Sequence, residues 1–243
     1  MKIIIAEDYD ELSVRAASFI IDTVKRKPDA TLGLATGTTP LGLYQLLIQD
    51  HNRNGTSYKQ VRCVNLDEYK GLSSTHNQSY AYFMRKNLFE HLDIDLNNAY
   101  IENGMAEDGQ AECERYDKLL ERFPRDLQLL GLGSNGHIAF NEPNTPFDST
   151  THIVDLTEST IKDNSRLFAN IAEVPKQAYT MGLKSIMQAR KILMLASGAN
   201  KADAVYKMVK CKTGENLPAS ILQRHKDCTL IIDKEAAGGL INQ

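Results

Sequence analysis

The sequence predicts an α/β protein whose helices cover a mostly parallel sheet. Three features of its 243 residues predict it. Short apolar runs alternate with longer amphipathic ones, as βα units require. Capping residues, prolines and glycines fall where one period gives way to the other. Four polar loops each follow directly on an apolar run, as loops at the rim of such a sheet would.

The elements follow in order. Lys2 to Ala6, "KIIIA", reads as a strand. Asp10 is placed to cap a helix through "ELSVRAASFIIDTVKRK", with Leu12, Ala16, Phe19 and Ile20 on one face and Pro28 as its stop. "TLGLAT" is the next strand. Pro40 suits the first turn of the helix "PLGLYQLLIQDH", which carries Leu43, Leu46 and Leu47 inward and has Gly55 beyond its end. Strands "QVRCVNL", "DLQLLGLG", "KILMLAS" and "TLIID" follow, with "AECERYDKLLERF" and "KADAVYKMVK" as helices. Residues 144–176 show no clear period, and a long polar connection of this kind reads as a lid, with a short helix expected near Ile161 to Ala169. The whole chain, 1–243, is expected to form one domain.

Hydrophobic residues are 42% and charged residues 24% of the chain, enough to bury a sizeable core. With a net charge of -3 and interspersed signs, nothing points to nucleic acid as a partner. Cys63, Cys113, Cys211 and Cys228 are far apart, without C-x-x-C or a histidine cluster, so neither a zinc site nor a disulfide framework is expected. The apolar run in "MKIIIAEDYDEL" is too short for a signal peptide, and no run reaches the roughly 18 apolar residues of a membrane span. These readings predict a cytoplasmic enzyme or binding protein, with no membrane partner.

The four polar loops are "TGTTP" (Thr36 to Pro40), "DEY" (Asp67 to Tyr69), "GSNGH" (Gly133 to His137) and "SGANK" (Ser197 to Lys201). Ligands of open α/β sheets bind outside the carboxyl ends of the strands, so four such loops on one rim make a candidate site. Thr36, Gly37, Thr38 and Thr39 offer hydroxyls and a flexible turn at a helix start, which suit a phosphate. They equally suit an ordinary capped helix. Lys201 could add a cation there or be a solvated surface residue. No Walker motif is present, so ATP hydrolysis is not indicated.

Gly131, Gly133 and Gly136 spell G-x-G-x-x-G after a strand, with Asp155 near the spacing of a ribose-binding acid. The dinucleotide fingerprint also needs a long helix to begin at that point, and Pro143 and Pro146 interrupt it. His137 in the same stretch suits proton movement near neutral pH, with Asn135 or Glu142 to fix its tautomer. A structural histidine is the alternative. Asp67 follows a strand that leaves the core, so its carboxylate would be partly desolvated and more basic, unless it merely caps the next turn. With no nucleophile elbow, acid/base chemistry is favoured over a covalent intermediate.

The stretches "LGLATGTTPLGLY", "VNLDEYKGL", "GLGSNGHIAFNEP", "NSRLF", "VPKQAYTMG" and "SGANKADAV" resemble, in order, the glucosamine-6-phosphate deaminase (glucosamine-6-phosphate isomerase) family. The sister family of 6-phosphogluconolactonases shares the phosphate loop but usually continues its Gly-His turn as a "GHTASLFP"-like sequence. The resemblance implies a Rossmann-like three-layer fold with a lid after the Gly-His loop. It also implies conversion of glucosamine 6-phosphate to fructose 6-phosphate and ammonia, without metal or organic cofactor, by a monomer or small homo-oligomer. By motif, Asp67 would move the proton from C2 to C1, His137 would assist ring opening, and Asn135 and Glu142 would orient it. Thr36 to Thr39, Arg166 and Lys201 would hold the phosphate.

Many members have aspartate at the place of Asn135 and glycine at the place of Thr38. Some are hexamers activated at an inter-subunit site whose basic residues correspond to His152 and Val154, and a valine cannot bind phosphate, so no activation is expected. A lactonase on the same fold, or a non-catalytic sugar-phosphate sensor, are the alternatives to be separated by assay.

Overall fold

The computed structural model of the chain describes residues 1–157, 161, 168, 170 and 173–241. Its first strand, β1 (Lys2–Ala6), matches the apolar run read from the sequence. Helix α1 (Tyr9–Arg26) is capped two residues before the expected position. Asp8 is the capping residue, accepting the Glu11 N–H at 2.9 Å, while the Glu11 carboxylate accepts the Glu7 N–H at 2.6 Å. This reciprocal arrangement satisfies two otherwise orphaned donors, which Asp10 could not do.

Strand β2 (Thr31–Leu34) leads into α2 (Leu41–Asn54), which Pro40 caps from just outside and Gly55 ends in the left-handed region. The remaining large-sheet strands are β3 (Arg62–Asn65), β5 (Ala99–Tyr100), β6 (Leu127–Gly131), β9 (Ile192–Ala196) and β10 (Cys228–Asp233). All seven run parallel in the order β1-β10-β9-β6-β2-β3-β5. Helices α3 (Tyr80–Asn87), α4 (Gly109–Arg122), α5 (Leu183–Met187), α6 (Ala202–Lys210) and α7 (Gly238–Ile241) complete the described elements. Every residue of β9 and β10 is buried. Strands covered on both faces are apolar throughout, and each fully buried Leu or Ile there contributes roughly 1.5–3 kcal/mol.

A second sheet was not expected. Strands β4 (Asp67–Tyr69), β8 (Gln177–Thr180) and β7 (His152–Asp155) pair antiparallel in the order β4-β8-β7. β4 has only three residues and β7 lies inside the polar stretch read as a lid, so neither is long enough for a period to show. Residues 144–157 are therefore built into the fold: β7 pairs with β8, and Thr151 bonds Asp117 through both its N–H and its hydroxyl. The helix expected near Ile161 to Ala169 falls mostly outside the described residues. A small core of Tyr69, Phe140, Leu156 and Ala178 sits under this sheet. Among the described residues, no helix is long and apolar enough to cross a membrane.

Candidate active site

The strand order of the large sheet reverses between β2 and β6. This is the switch point at which open α/β sheets bind ligands. A cavity of about 280 Å³ opens there, room for a small metabolite. Its wall includes Thr36, Gly37, Thr38 and Thr39, Asp67, Tyr80, His137, Ala139 and Lys201. Three of the four loops singled out by sequence contribute directly, and "SGANK" contributes Lys201.

The threonine loop is braced from α1. The Tyr9 hydroxyl lies 3.2 Å from the Thr38 carbonyl and 3.1 Å from that of Thr39, and accepts the Gly42 N–H at 2.8 Å. Gly37 has a φ of +94°, which L side chains rarely adopt, so glycine belongs at this turn. The result is a set of hydroxyls and main-chain groups in front of α2, whose positive dipole end favours an anion. On the other side of the cavity, buried Asp233 holds the "SGANK" loop. Its carboxylate accepts the Ser197 hydroxyl and the Gly198 N–H, the latter at 2.9 and 3.1 Å, and so places Lys201 before α6.

Asp67 opens β4 with only 6% of its surface exposed. Burial, and then the neighbouring Glu68, push its carboxyl up to about 8. A carboxylate so desolvated is a far stronger base than an exposed one. Burial also raises Glu68, to about 7, against three main-chain N–H bonds that favour its charged form. Glu102, fully buried after β5, is raised well above the usual range by burial and by Asp67, Glu68 and Glu112. Among the described residues, neither of its carboxyl oxygens has a hydrogen-bond partner. Burial of this kind favours its protonated form.

The stretch from Gly133 to Pro143 is a loop and not the start of a helix, which removes the dinucleotide reading. Asp155 lies on β7, where its carboxylate accepts from Gln177 at 2.8 Å. The loop closes on itself through Gly133 N–H to the His137 carbonyl at 2.9 Å and Gly136 N–H to the Gly133 carbonyl at 3.0 Å. A β carbon on Gly133 would come within 2.4 Å of the His137 ring, so only glycine lets the imidazole lie there. Ala139 has a φ of +52°, a strained backbone held at the cavity wall. Asn141, fully buried, donates to the Ile138 and Met181 carbonyls at 3.0 and 2.9 Å, and the Phe140 N–H bonds the Thr180 hydroxyl at 3.1 Å. Thr180 stands opposite Asp67 in the small sheet, so the histidine loop and the aspartate strand share one brace.

Glu142 approaches His137, Oε2 to Nδ1, at 3.8 Å. Asp67, His137, Thr36 to Thr39 and Lys201 thus meet at one cavity, with Asn135 and Glu142 behind the histidine. Arg166 lies outside the described residues. Sequence reasoning missed Glu68, Tyr80, Glu102 and Tyr9, of which only Glu68 carried a signal, as the second acid of "DEY". Among the described residues, no group of three or more His, Cys, Asp or Glu side chains could hold a metal ion.

A doubly wound sheet with titratable side chains and polar loops around a cavity at its switch point defines the class of α/β proteins that take a small molecule there. The sequence model of glucosamine-6-phosphate isomerases/6-phosphogluconolactonase matches residues 7–231, and the chain belongs to this family. It is 54% identical over 237 residues to the glucosamine-6-phosphate deaminase of Halalkalibacterium halodurans, covering 97% of this chain and 96% of that one. To the glucosamine-6-phosphate deaminase of Clostridium novyi it is 50% identical, over 99% of this chain and 100% of that one. A solved structure described as a monomeric glucosamine-6-phosphate deaminase superposes with a TM-score of 0.97 at 48% identity, covering 98% of this chain and 100% of that one. The 6-phosphogluconolactonase of Trypanosoma brucei shares the fold, with a TM-score of 0.79 at 21% identity over 98% of both chains.

Proposed function

We propose that the protein converts glucosamine 6-phosphate and water to fructose 6-phosphate and ammonia, a step of amino-sugar catabolism. The observation that carries this reading is the buried, strongly basic Asp67 facing one small cavity with His137, between two loops suited to a phosphate. Near-half identity to named deaminases over almost the whole chain supports it. Asp67 removes the C2 proton of the opened sugar, leaving an enol-amine, and returns a proton to C1. The product is an imine at C2. Water adds to it, the C–N bond breaks, and nitrogen leaves as ammonia.

His137 passes a proton to the ring oxygen during opening, and Asn135 and Glu142 hold it in orientation. Thr36 to Thr39 and Lys201 hold the phosphate, with Arg166 as a further phosphate ligand that the family motif implies. The chain acts as one domain, as a monomer or small homo-oligomer, without nucleic-acid or membrane partners. A cytoplasmic site follows from the substrate, since a charged ester does not cross a bilayer unaided.

The test uses Asp67→Asn, which keeps the shape and removes the base. With fructose 6-phosphate and ammonium in deuterated water, deuterium entry at the sugar C1 and C2 positions should fall by about 10² to 10⁴. Exchange at the wild-type rate would show that another group is the base. Hydrolysis of 6-phosphogluconolactone in place of ammonia release would favour the lactonase reading.

A further inference from the structure

Glu68 is 1% exposed, and its carboxylate is more heavily engaged than that of Asp67 beside it. Oε1 accepts the Tyr69 N–H at 2.8 Å and the Tyr80 N–H at 2.9 Å, and Oε2 accepts the Ala81 N–H at 2.9 Å. Tyr80 and Ala81 are the first two residues of α3, whose local cap, Ser79, satisfies only the Tyr82 N–H. A strand residue therefore completes the cap of a helix that begins twelve residues later. This placement has consequences in the cavity wall. Tyr80 lines it, and its ring stacks on Phe140 with centroids 5.9 Å apart and planes 8° apart. Phe140 belongs to the histidine loop.

We propose that Glu68 is a positioning residue, which fixes the first turn of α3 and the Tyr80 ring between the Asp67 strand and the His137 loop while placing a second carboxylate beside Asp67. The proposal rests on the reading of Asp67 as the base. Among the described residues, the other titratable and charged groups near Asp67 are Tyr69 on its own strand, Tyr80 on α3, Glu102 after β5, and His137 and Lys201 across the cavity. Of these, Glu68 is the acid adjoining Asp67 in the chain, and its charge disfavours ionisation of Asp67. Its removal makes Asp67 a weaker base that ionises at lower pH.

Two substitutions separate the clamp from the charge. Glu68→Gln has the same length but turns an amide NH₂ toward main-chain donors, so donor faces donor and the charge is gone. Glu68→Asp keeps the charge and retracts the carboxylate by one methylene. With ammonia release from glucosamine 6-phosphate followed across pH, Glu68→Gln should lose about ten- to a hundredfold in kcat with KM little changed, because the phosphate loops are separate. The acid limb of kcat/KM should also move to lower pH. Glu68→Asp should lose kcat with the limb in place.

Wild-type kcat in Glu68→Gln, or a lowered kcat with an unmoved limb, would overturn the proposal, the latter reducing Glu68 to a helix cap. If Glu68→Gln does not fold, Glu68→Asp decides, and wild-type kcat there overturns it. Asp67→Asn is measured alongside. An active Asp67→Asn would unseat the base itself, whereas an inactive one beside a wild-type-like Glu68→Gln would unseat only Glu68.

Discussion

Asn135 donates through Nδ2 to Oε2 of Glu142 at 2.7 Å, while its own Oδ1 accepts the main-chain N–H of His137 at 3.2 Å. A single amide thus fixes the carboxylate that faces the imidazole and the backbone that carries the imidazole. The amide suits this double role because it has a donor and an acceptor on one planar group. Asn135→Asp keeps the acceptor and loses the donor, bringing two carboxylates into contact. One of the pair must then hold a proton. The expected outcome is an additional ionisation in the kcat/KM profile of Asn135→Asp, read by ammonia release across pH. A profile superimposable on wild type would show that the Asn135–Glu142 bond does not govern the histidine.

The close approach of the His137 ring to Gly133 gives a second test. Gly133→Ala must displace the ring, since a loop closed by its own main-chain bonds leaves the new methyl little room to retreat. A displacement of about 1 Å costs on the order of 10² in turnover. Circular dichroism should show a folded protein, and turnover of the closed sugar should drop by about that factor. Full activity would mean that the ring has another productive position.

Asp67 and Glu68 also make a prediction about stability. Both keep protons in the folded state, up to about pH 8 and 7, that the unfolded chain releases near pH 4. Between about pH 4 and 8 the native state therefore binds more protons than the unfolded state, and stability falls as pH rises through that window. Asp67→Asn cannot ionise. At pH 8 it should be more stable than wild type, and at pH 4 the two should match. Urea midpoints at the two pH values decide. A less stable Asp67→Asn at pH 8 would show that the folded protein favours the charged carboxylate.

Regulation is expected to be absent. His152 and Val154, the positions at which the sequence reading places the activator contacts, lie on β7, where His152 bonds the Thr150 carbonyl at 2.8 Å and Val154 packs against the small core of Tyr69 and Phe140. Neither position offers a phosphate a cation in the way an arginine or lysine would. Initial-rate curves in glucosamine 6-phosphate should be hyperbolic and unmoved by N-acetylglucosamine 6-phosphate. Sigmoidal curves that the acetylated sugar makes hyperbolic would contradict this.

The parallel strands were legible because each is an apolar run bounded by turn chemistry. Their neighbours "TGTTP", "GSNGH" and "SGANK" were legible as site loops because polar residues at a strand exit have few other reasons to cluster. The antiparallel sheet was not. A three-residue strand such as Asp67–Tyr69 carries no period, and its partner comes from more than a hundred residues away. The tie from Glu68 to α3 and the brace from Tyr9 to the threonine loop were hidden for the same reason. They are side-chain to main-chain bonds between distant segments, and only the folded chain brings them together. That Asp67 leaves the core at the end of a strand was visible, but its degree of burial depends on Tyr69, Tyr80 and Glu102 lying near it.

The pairing of β2 with β6 is limited to Leu32 opposite Leu127 and Gly33 opposite Gln128, whereas β1, β10 and β9 run side by side along their length. The cavity opens above this thin seam, and its threonine and histidine loops belong to opposite banks. Amide protons on the two banks should consequently trade with solvent sooner than those of β9 and β10, because local opening follows short pairings. A phosphosugar gripped from both banks would act as a staple across the seam. Slowed exchange at Leu34, Leu129 and Leu130 on adding fructose 6-phosphate would make the ligand a structural member of the sheet for as long as it stays bound.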